Sequence, residues 1–278
     1  MILIRVEICL RGNSMRNTSI GNAALLLLIT LALSSCAEKK ILGRYDLSDY
    51  NYSKAASIPT DEELDKYNKI INTDKKNAAA FFERGKIYNA RNQYKDAIAD
   101  YGQSIELNNK NAKVYFERAD AYYNNGEYKK AILDYTEAVR LDDKFALAFN
   151  NRSDAYLMER DYKSAISDVT KTIQLSPNNE LLYHGRGLLY ILKEEKEYDR
   201  AIADFEKVIE INPKYVNAYF ELGNIYYAKG EYGKAIFNFT KTIELDETLW
   251  VAYDNRGEAY EKSGQKAKAE ADYLNSPV

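Results

Sequence analysis

The chain has 278 residues, of which 29% are charged, and its formal net charge of −3 is close to balance. This balance provides no basic patch, which argues against nucleic acid or an anionic membrane surface as a partner. The only two cysteines, Cys9 and Cys36, precede the part of the chain that is predicted to fold, so no internal disulfide is expected.

The N-terminal region contains an apolar run, AALLLLITLAL, from Ala23 to Leu33. A membrane-spanning helix needs about 20 apolar residues, so this run is too short to be a stable anchor. Its length instead matches the apolar core of a secretory signal, which has about 7–15 residues. Residues 1–35 are therefore predicted to be a signal peptide, with Met15 as a possible true start because it gives a signal of ordinary length.

The apolar run ends in Leu33-Ser34-Ser35-Cys36, a tetrad that resembles the bacterial lipobox. The resemblance implies that Cys36 is lipidated and becomes the first mature residue. Residues 36–59 would then be a lipid-anchored flexible tether. The protein would be a lipoprotein of the cell membrane or outer membrane, with its folded part in the periplasm or at the cell surface. An ordinary signal peptide with a chance cysteine, which gives a secreted soluble protein, remains an alternative.

Residues 60–77 contain one amphipathic segment. Leu64, Tyr67, Ile70 and Ile71 lie on one face at helical spacing. The segment is similar to the second helix of a helical pair whose first helix is missing. We expect a capping helix that covers the open face of the helices that follow.

From Ala78 onward the sequence repeats with a period of about 34 residues, as in FFERGKIYNARNQYKDAIADYGQSIEL (81–107) and YFERADAYYNNGEYKKAILDYTEAVRL (115–141). The pattern of aromatic and small residues resembles the tetratricopeptide repeat family, whose signature alanine is present as Ala97, Ala131, Ala165, Ala201, Ala235 and Ala269. The resemblance implies an all-α, right-handed α-solenoid of about six helix-turn-helix repeats. The predicted repeats are 78–111, 112–145, 146–179, 180–215, 216–249 and 250–278, and the fourth has two extra residues in its turn.

Two repeat positions vary together along the chain. The seventh position is arginine and the twenty-third is aspartate in every repeat except the fifth, which has Leu222 and Asn238. This joint change predicts structural salt bridges within the repeats rather than a row of arginines that binds anions. The predicted pairs are Arg84 with Asp100, Arg118 with Asp134, Arg152 with Asp168, Arg186 with Asp204, and Arg256 with Asp272.

The resemblance also implies that the first helices of the repeats line a concave groove that binds a partner. The predicted groove residues are Phe82, Glu83, Lys86, Phe116, Glu117, Asp120, Asn150, Asn151, Asp154, His184, Phe220, Glu221, Asn224, Asp254, Asn255 and Glu258. Seven of them are acidic and three are phenylalanines. This composition favours an extended or helical protein segment with basic and apolar side chains. A solvated face without a ligand is the alternative.

Catalysis has little support in the sequence. His184 is the only histidine, and no G-x-x-x-x-G-K-[ST] phosphate loop is present. We therefore expect neither an enzyme nor a cofactor or metal site. The Lys, Asn and Arg clamp with which some family members bind a C-terminal carboxylate is also missing.

The predicted function is that of a membrane-tethered scaffold or adaptor for another protein, in cell-envelope assembly. A structural lipoprotein that self-associates, as a homodimer for example, is a second possibility. The shortened sixth repeat favours it because solenoids generally need a polar capping helix at the end.

Overall fold

The structure is a computed structural model that describes residues 59–193 and 196–275. The predicted signal peptide, Cys36 and all of the predicted tether except its last residue lie outside the described residues, as do 194–195 and 276–278. The described residues form α-helices and no strand, which confirms the all-α class. The helices are α1 (Asp61–Thr73), α2 (Ala78–Ala90), α3 (Tyr94–Leu107), α4 (Ala112–Asn124), α5 (Tyr128–Leu141), α6 (Ala146–Met158), α7 (Tyr162–Leu175), α8 (Glu180–Leu192), α9 (Tyr198–Ile211), α10 (Val216–Ala228), α11 (Tyr232–Leu245), α12 (Trp250–Lys262) and α13 (Lys266–Tyr273).

Helix α1 begins with a complete capping box at Thr60. The backbone N–H of Glu63 donates to the Thr60 hydroxyl at 3.3 Å, and the backbone N–H of Thr60 donates to the Glu63 carboxylate at 2.8 Å. These bonds satisfy N–H groups that the start of a helix otherwise leaves unpaired. The apolar side of α1 packs against α2, where Ile71 contacts Ala80 and Phe81. The helix therefore covers the first repeat.

Helices α2 to α13 form six consecutive pairs, and each pair packs mainly on its neighbours in the chain. Inside each pair the signature alanine of the second helix is fully or almost fully buried, which allows the two helices to approach. Aromatic side chains fill the space beside it, and Tyr101, Tyr135, Phe205 and Phe239 are completely buried. This arrangement of stacked helical pairs is an α-solenoid.

The turn inside most repeats needs one residue in the left-handed backbone region. In the fifth repeat Gly230 supplies it with φ 76°, whereas in the third repeat Arg160 adopts φ 60°. Glycine has no Cβ and tolerates this region, while other residues are strained there. In the fourth repeat the first helix ends at Leu192 and the second begins at Tyr198, so more residues separate them than in the other repeats.

All five predicted ion pairs are present, and each is bidentate. In the third repeat, Nε and Nη2 of Arg152 donate to the two carboxylate oxygens of Asp168 at 2.7 and 2.8 Å. The other four pairs have N–O distances of 2.6 to 2.9 Å. In the fifth repeat Leu222 is buried, and the Asn238 side chain donates to the backbone carbonyl of Lys234 at 2.9 Å.

The arginines also connect neighbouring repeats. The Nη1 group of Arg152 donates to the Thr136 hydroxyl of the preceding repeat at 3.0 Å, and Arg186 and Arg256 make the same bond to Thr170 and Thr240. In the first repeat the acceptor is Asn68 of α1, at 2.9 Å from Arg84. Helix α1 therefore takes the place of a second helix in the solenoid.

Candidate functional site: the face of the first helices

The sixteen predicted groove residues all lie on the first helices α2, α4, α6, α8, α10 and α12, and we call them the groove face. Ten of them are partly or largely exposed: Phe82, Glu83, Lys86, Asp120, Phe220, Glu221, Asn224, Asp254, Asn255 and Glu258. These residues belong mainly to the first, fifth and sixth repeats. The two ends of the groove face are therefore its most accessible parts.

The expectation that all sixteen side chains are accessible is not met at six central positions. Phe116, Glu117, Asn150, Asn151, Asp154 and His184 are buried. Two of these side chains, at the fifth position of the repeat, pack on an aromatic residue of the second helix. The rings of Phe116 and Tyr135 are 5.8 Å apart, and those of His184 and Phe205 are 5.5 Å apart. These side chains belong to the core of the central repeats.

Hydrogen bonds between repeats cross the groove face at two junctions. The Asn151 amide donates to Asp120 of the preceding repeat at 2.9 Å, and the Asn255 amide donates to Asn224 of the preceding repeat at 2.9 Å. In both cases a residue at the ninth position accepts from the residue at the sixth position of the next repeat. Within the second repeat, the Tyr135 hydroxyl also donates to Asp120. We call the two amide bonds between neighbouring repeats the ladder.

The ladder was not predicted from the sequence, although a signal for it exists. Asn151 and Asn255 both have an amide at the sixth position, and each follows a ninth-position oxygen acceptor in the preceding repeat. The signal becomes visible only when these two positions are compared across successive repeats rather than within one.

Two titratable groups of the groove face have large pKa shifts. Desolvation raises the pKa of Glu221 to about 7 although the residue keeps part of its surface exposed, and a hydrogen bond from Asn224 acts in the opposite direction. Burial also lowers the pKa of His184 to about 4, so its imidazole is neutral at pH 7. Neither ring nitrogen of His184 has a hydrogen-bond partner in the structure. The histidine occupies a position where three other repeats have phenylalanine.

At the N-terminal end of the groove face, Lys86 forms an ion pair with Glu83 of the same helix, with an Nζ–Oε2 distance of 2.7 Å. Both side chains remain about 40% exposed, so the pair is accessible and contributes little to stability. The basic charge of Lys86 is thus offset locally, which leaves the accessible groove face acidic.

The described residues contain no group of three or more His, Cys, Asp or Glu side chains placed to hold a metal ion. Within the same residues, no helix combines the length and the apolar character needed to cross a membrane. The arrangement offers a row of polar and apolar side chains for contact with another molecule.

Comparisons with known proteins agree with this arrangement. Models of the TPR repeat match residues 85–126 and 190–229, and two models of the tetratricopeptide repeat match 112–145 and 216–249. No curated protein matches the sequence. Many solved structures do match, and three are described below.

A crystal structure of MamA protein is 26% identical, with a TM-score of 0.55, and the match covers 59% of this chain and 88% of MamA. YrrB is 21% identical, with a TM-score of 0.60 and a coverage of 68% of this chain and 96% of YrrB. The C-terminal part of a TPR repeat-containing protein from Cytophaga hutchinsonii is 19% identical, with a TM-score of 0.68 and a coverage of 77% and 88%. These helical pairs, family matches and structural neighbours together identify the chain as a tetratricopeptide repeat protein.

Proposed function

We propose that this protein is a membrane-tethered scaffold whose groove face binds a segment of another protein. The observation that carries the proposal is the row of accessible side chains on successive first helices, including Phe82, Glu83, Phe220 and Glu258. The solved structure of YrrB is described as that of a TPR protein with an unusual peptide-binding site. The shared fold supports a similar use of the surface here.

The partner segment has basic and apolar side chains. The accessible groove face combines the carboxylates of Glu83, Glu221, Asp254 and Glu258 with the rings of Phe82 and Phe220. Opposite charge directs association and excludes acidic partners, while the phenylalanine rings provide apolar contact area. A tetratricopeptide repeat solenoid is a fold of interaction scaffolds, and we propose that the protein has no enzymatic activity of its own.

Site-specific photo-cross-linking in intact cells tests the binding face. A benzoylphenylalanine replaces Glu83 or Glu258 on the groove face, and the control replaces Leu133, a second-helix residue that is 70% exposed. We expect the same partner segment to cross-link from the two groove positions and not from the control. Cross-linking from Leu133 alone, or equally from all three positions, would overturn the groove face as the binding surface.

The membrane tether is a separate part of the proposal. It is supported by the lipobox-like sequence that ends at Cys36, and it places the solenoid in the periplasm or at the cell surface. Three acyl chains on one cysteine would anchor firmly, since each buried CH₂ contributes about 0.8 kcal/mol. We expect labelled fatty acid to be incorporated into the protein and lost in Cys36→Ser. If the wild-type protein is unlabelled and found in the culture medium, the protein is a secreted adaptor.

Self-association is a second candidate function. Leu274, just after α13, is a large apolar side chain that is 86% exposed. Light scattering of the full chain over a range of concentrations tests this possibility. A dimer that is abolished by Leu274→Asp favours self-association, and a monomer at all concentrations excludes it.

A further inference from the structure

In the described residues the ladder bonds lie at the second–third and fifth–sixth junctions, and none lies between the fourth and fifth repeats. The positions that correspond to Asp120 and Asn151 are here Leu188 and Glu221. Leu188 is buried in an apolar cluster with Leu222 and has no polar group to offer. The ladder therefore does not supply a hydrogen-bond partner for Glu221 at this junction.

Glu221 is poorly compensated by the rest of the described residues. Its hydrogen bond from the Asn224 amide has an N–O distance of 3.5 Å, which is at the limit for such a bond. The acceptor oxygen of Asn224 is already used by Asn255. Within the described part of the chain, Glu221 forms no ion pair with a Lys or Arg, in contrast to the five buried aspartates of the repeats. Its raised pKa, about 7, is the electrostatic result of desolvation without a neighbouring cation.

From this geometry we propose that the step formed by Leu188 and Glu221 is the specificity site of the groove face and takes one lysine or arginine side chain of the bound segment. The proposal rests on the proposed function and names the partner residue that the groove selects. The cationic head of the ligand side chain reaches the Glu221 carboxylate, which stays partly accessible, whereas Leu188 is buried. A long basic side chain can extend its charged head to such a site while its aliphatic stem lies along the groove face.

A cation is favoured over other ligand groups for a physical reason. An acidic side chain would be repelled by Glu221, and an apolar one would leave the carboxylate uncompensated. A neutral amide would donate a hydrogen bond to one oxygen of the Glu221 carboxylate but would not compensate its negative charge. A charge-assisted hydrogen bond is roughly twice as strong as a neutral one, and the partly buried site strengthens it further.

Selection of peptides from a phage-displayed library of random nine-residue sequences, with the full chain as bait, tests the proposal. Wild type is compared with Glu221→Gln, which keeps the shape of the side chain and removes its charge. The matched control is Glu258→Gln, which removes a carboxylate from the same face one repeat further along. Thermal unfolding of each variant establishes that the solenoid is intact.

We expect wild type and Glu258→Gln to select peptides with Lys or Arg at one constant position, and Glu221→Gln to lose that enrichment at least tenfold. A wild-type consensus without a constant cation, or one that is unchanged in Glu221→Gln, would overturn the specificity site and leave the scaffold function standing. If wild type selects no consensus at all, peptide binding by the groove face fails, and the specificity site fails with it.

Discussion

The third and fifth repeats have the same helical-pair structure but different buried residues at equivalent positions. The third repeat joins its helices through the buried pair of Arg152 and Asp168, and the fifth has Leu222 and Asn238 instead. The third also places Ser153 opposite Val169, and the fifth places Gly223 under the large ring of Phe239. The comparison shows that a repeat is specified by matched pairs of residues rather than by single conserved side chains.

The ion pair of Arg152 and Asp168 provides the test with the largest expected effect, since both of its residues differ in the fifth repeat. Burial raises the pKa of Asp168 above the usual carboxyl value despite the opposing effect of Arg152, so desolvation offsets much of the attraction. We expect Asp168→Asn alone or Arg152→Leu alone to lower the free energy of unfolding by about 3–5 kcal/mol, because each leaves one buried charge unpaired. The double variant, which copies the fifth repeat, should recover most of the loss. Denaturant unfolding of the four proteins measures this, and additive losses would show that the residues are not coupled.

The comparison extends to the fifth position of the repeat, where the fifth repeat has Phe220 and the fourth has His184. Because the imidazole has two unpaired buried nitrogens, we expect His184→Phe to stabilise the protein by about 1–2 kcal/mol at pH 7. The folded-state pKa of His184, about 4, lies below the ordinary value of 6.5. Neutral His184 therefore makes its full contribution to the free energy of unfolding above pH 6.5. As the pH falls towards 4, the free energy of unfolding of the wild-type protein decreases by about 3 kcal/mol, because the unfolded chain binds the proton more readily. Thermal unfolding from pH 4 to 8 should show that His184→Phe removes this loss, and an unchanged pH profile would contradict the assignment.

The glycine under Phe239 provides the next test. A Cβ added at Gly223 would lie 2.5 Å from the Phe239 ring, which is completely buried and cannot move away. We expect Gly223→Ala to destabilise the protein by about 1–3 kcal/mol. Phe239→Val in the same chain copies the smaller residue of the third repeat and should relieve the overlap. A double-mutant cycle measures the coupling, and the absence of favourable coupling would contradict this interpretation.

The smallest expected effect concerns the turns. Arg160 of the third repeat is strained at φ 60°, whereas Gly230 of the fifth tolerates φ 76°. We expect Arg160→Gly to stabilise the protein by about 1 kcal/mol or less, since relief of strain is partly offset by the greater freedom of glycine in the unfolded chain. Gly230→Ala is the matched control and should destabilise by a similar amount. Melting temperatures measured side by side should move in opposite directions, and a shared direction would argue against backbone strain.

The repeat architecture and the ion pairs could be predicted because they depend on positions within one repeat. Arg152 and Asp168 are sixteen residues apart and change together with Leu222 and Asn238, so one chain contains the necessary comparison. Burial on the groove face could not be predicted in the same way. Asn150 and His184 have polar groups where three other repeats have phenylalanine, yet both are buried, while Phe82 and Phe220 at the same position are partly exposed. Polarity alone does not show which side chains a solenoid leaves accessible.

The bonds from Arg152, Arg186 and Arg256 to the preceding repeat have a consequence for motion. They fix the angle between neighbouring repeats, because a hydrogen bond constrains direction while apolar packing does not. Leu222 cannot make such a bond, so the fifth repeat is held to the fourth by apolar contacts and by the exposed pair of Lys229 and Asp199. The junction of the first and second repeats also lacks this bond, because Arg118 faces Gly102, which has no side chain to accept it. These two junctions are the natural hinges of the solenoid, and hydrogen exchange should therefore show separate cooperative blocks on either side of each one.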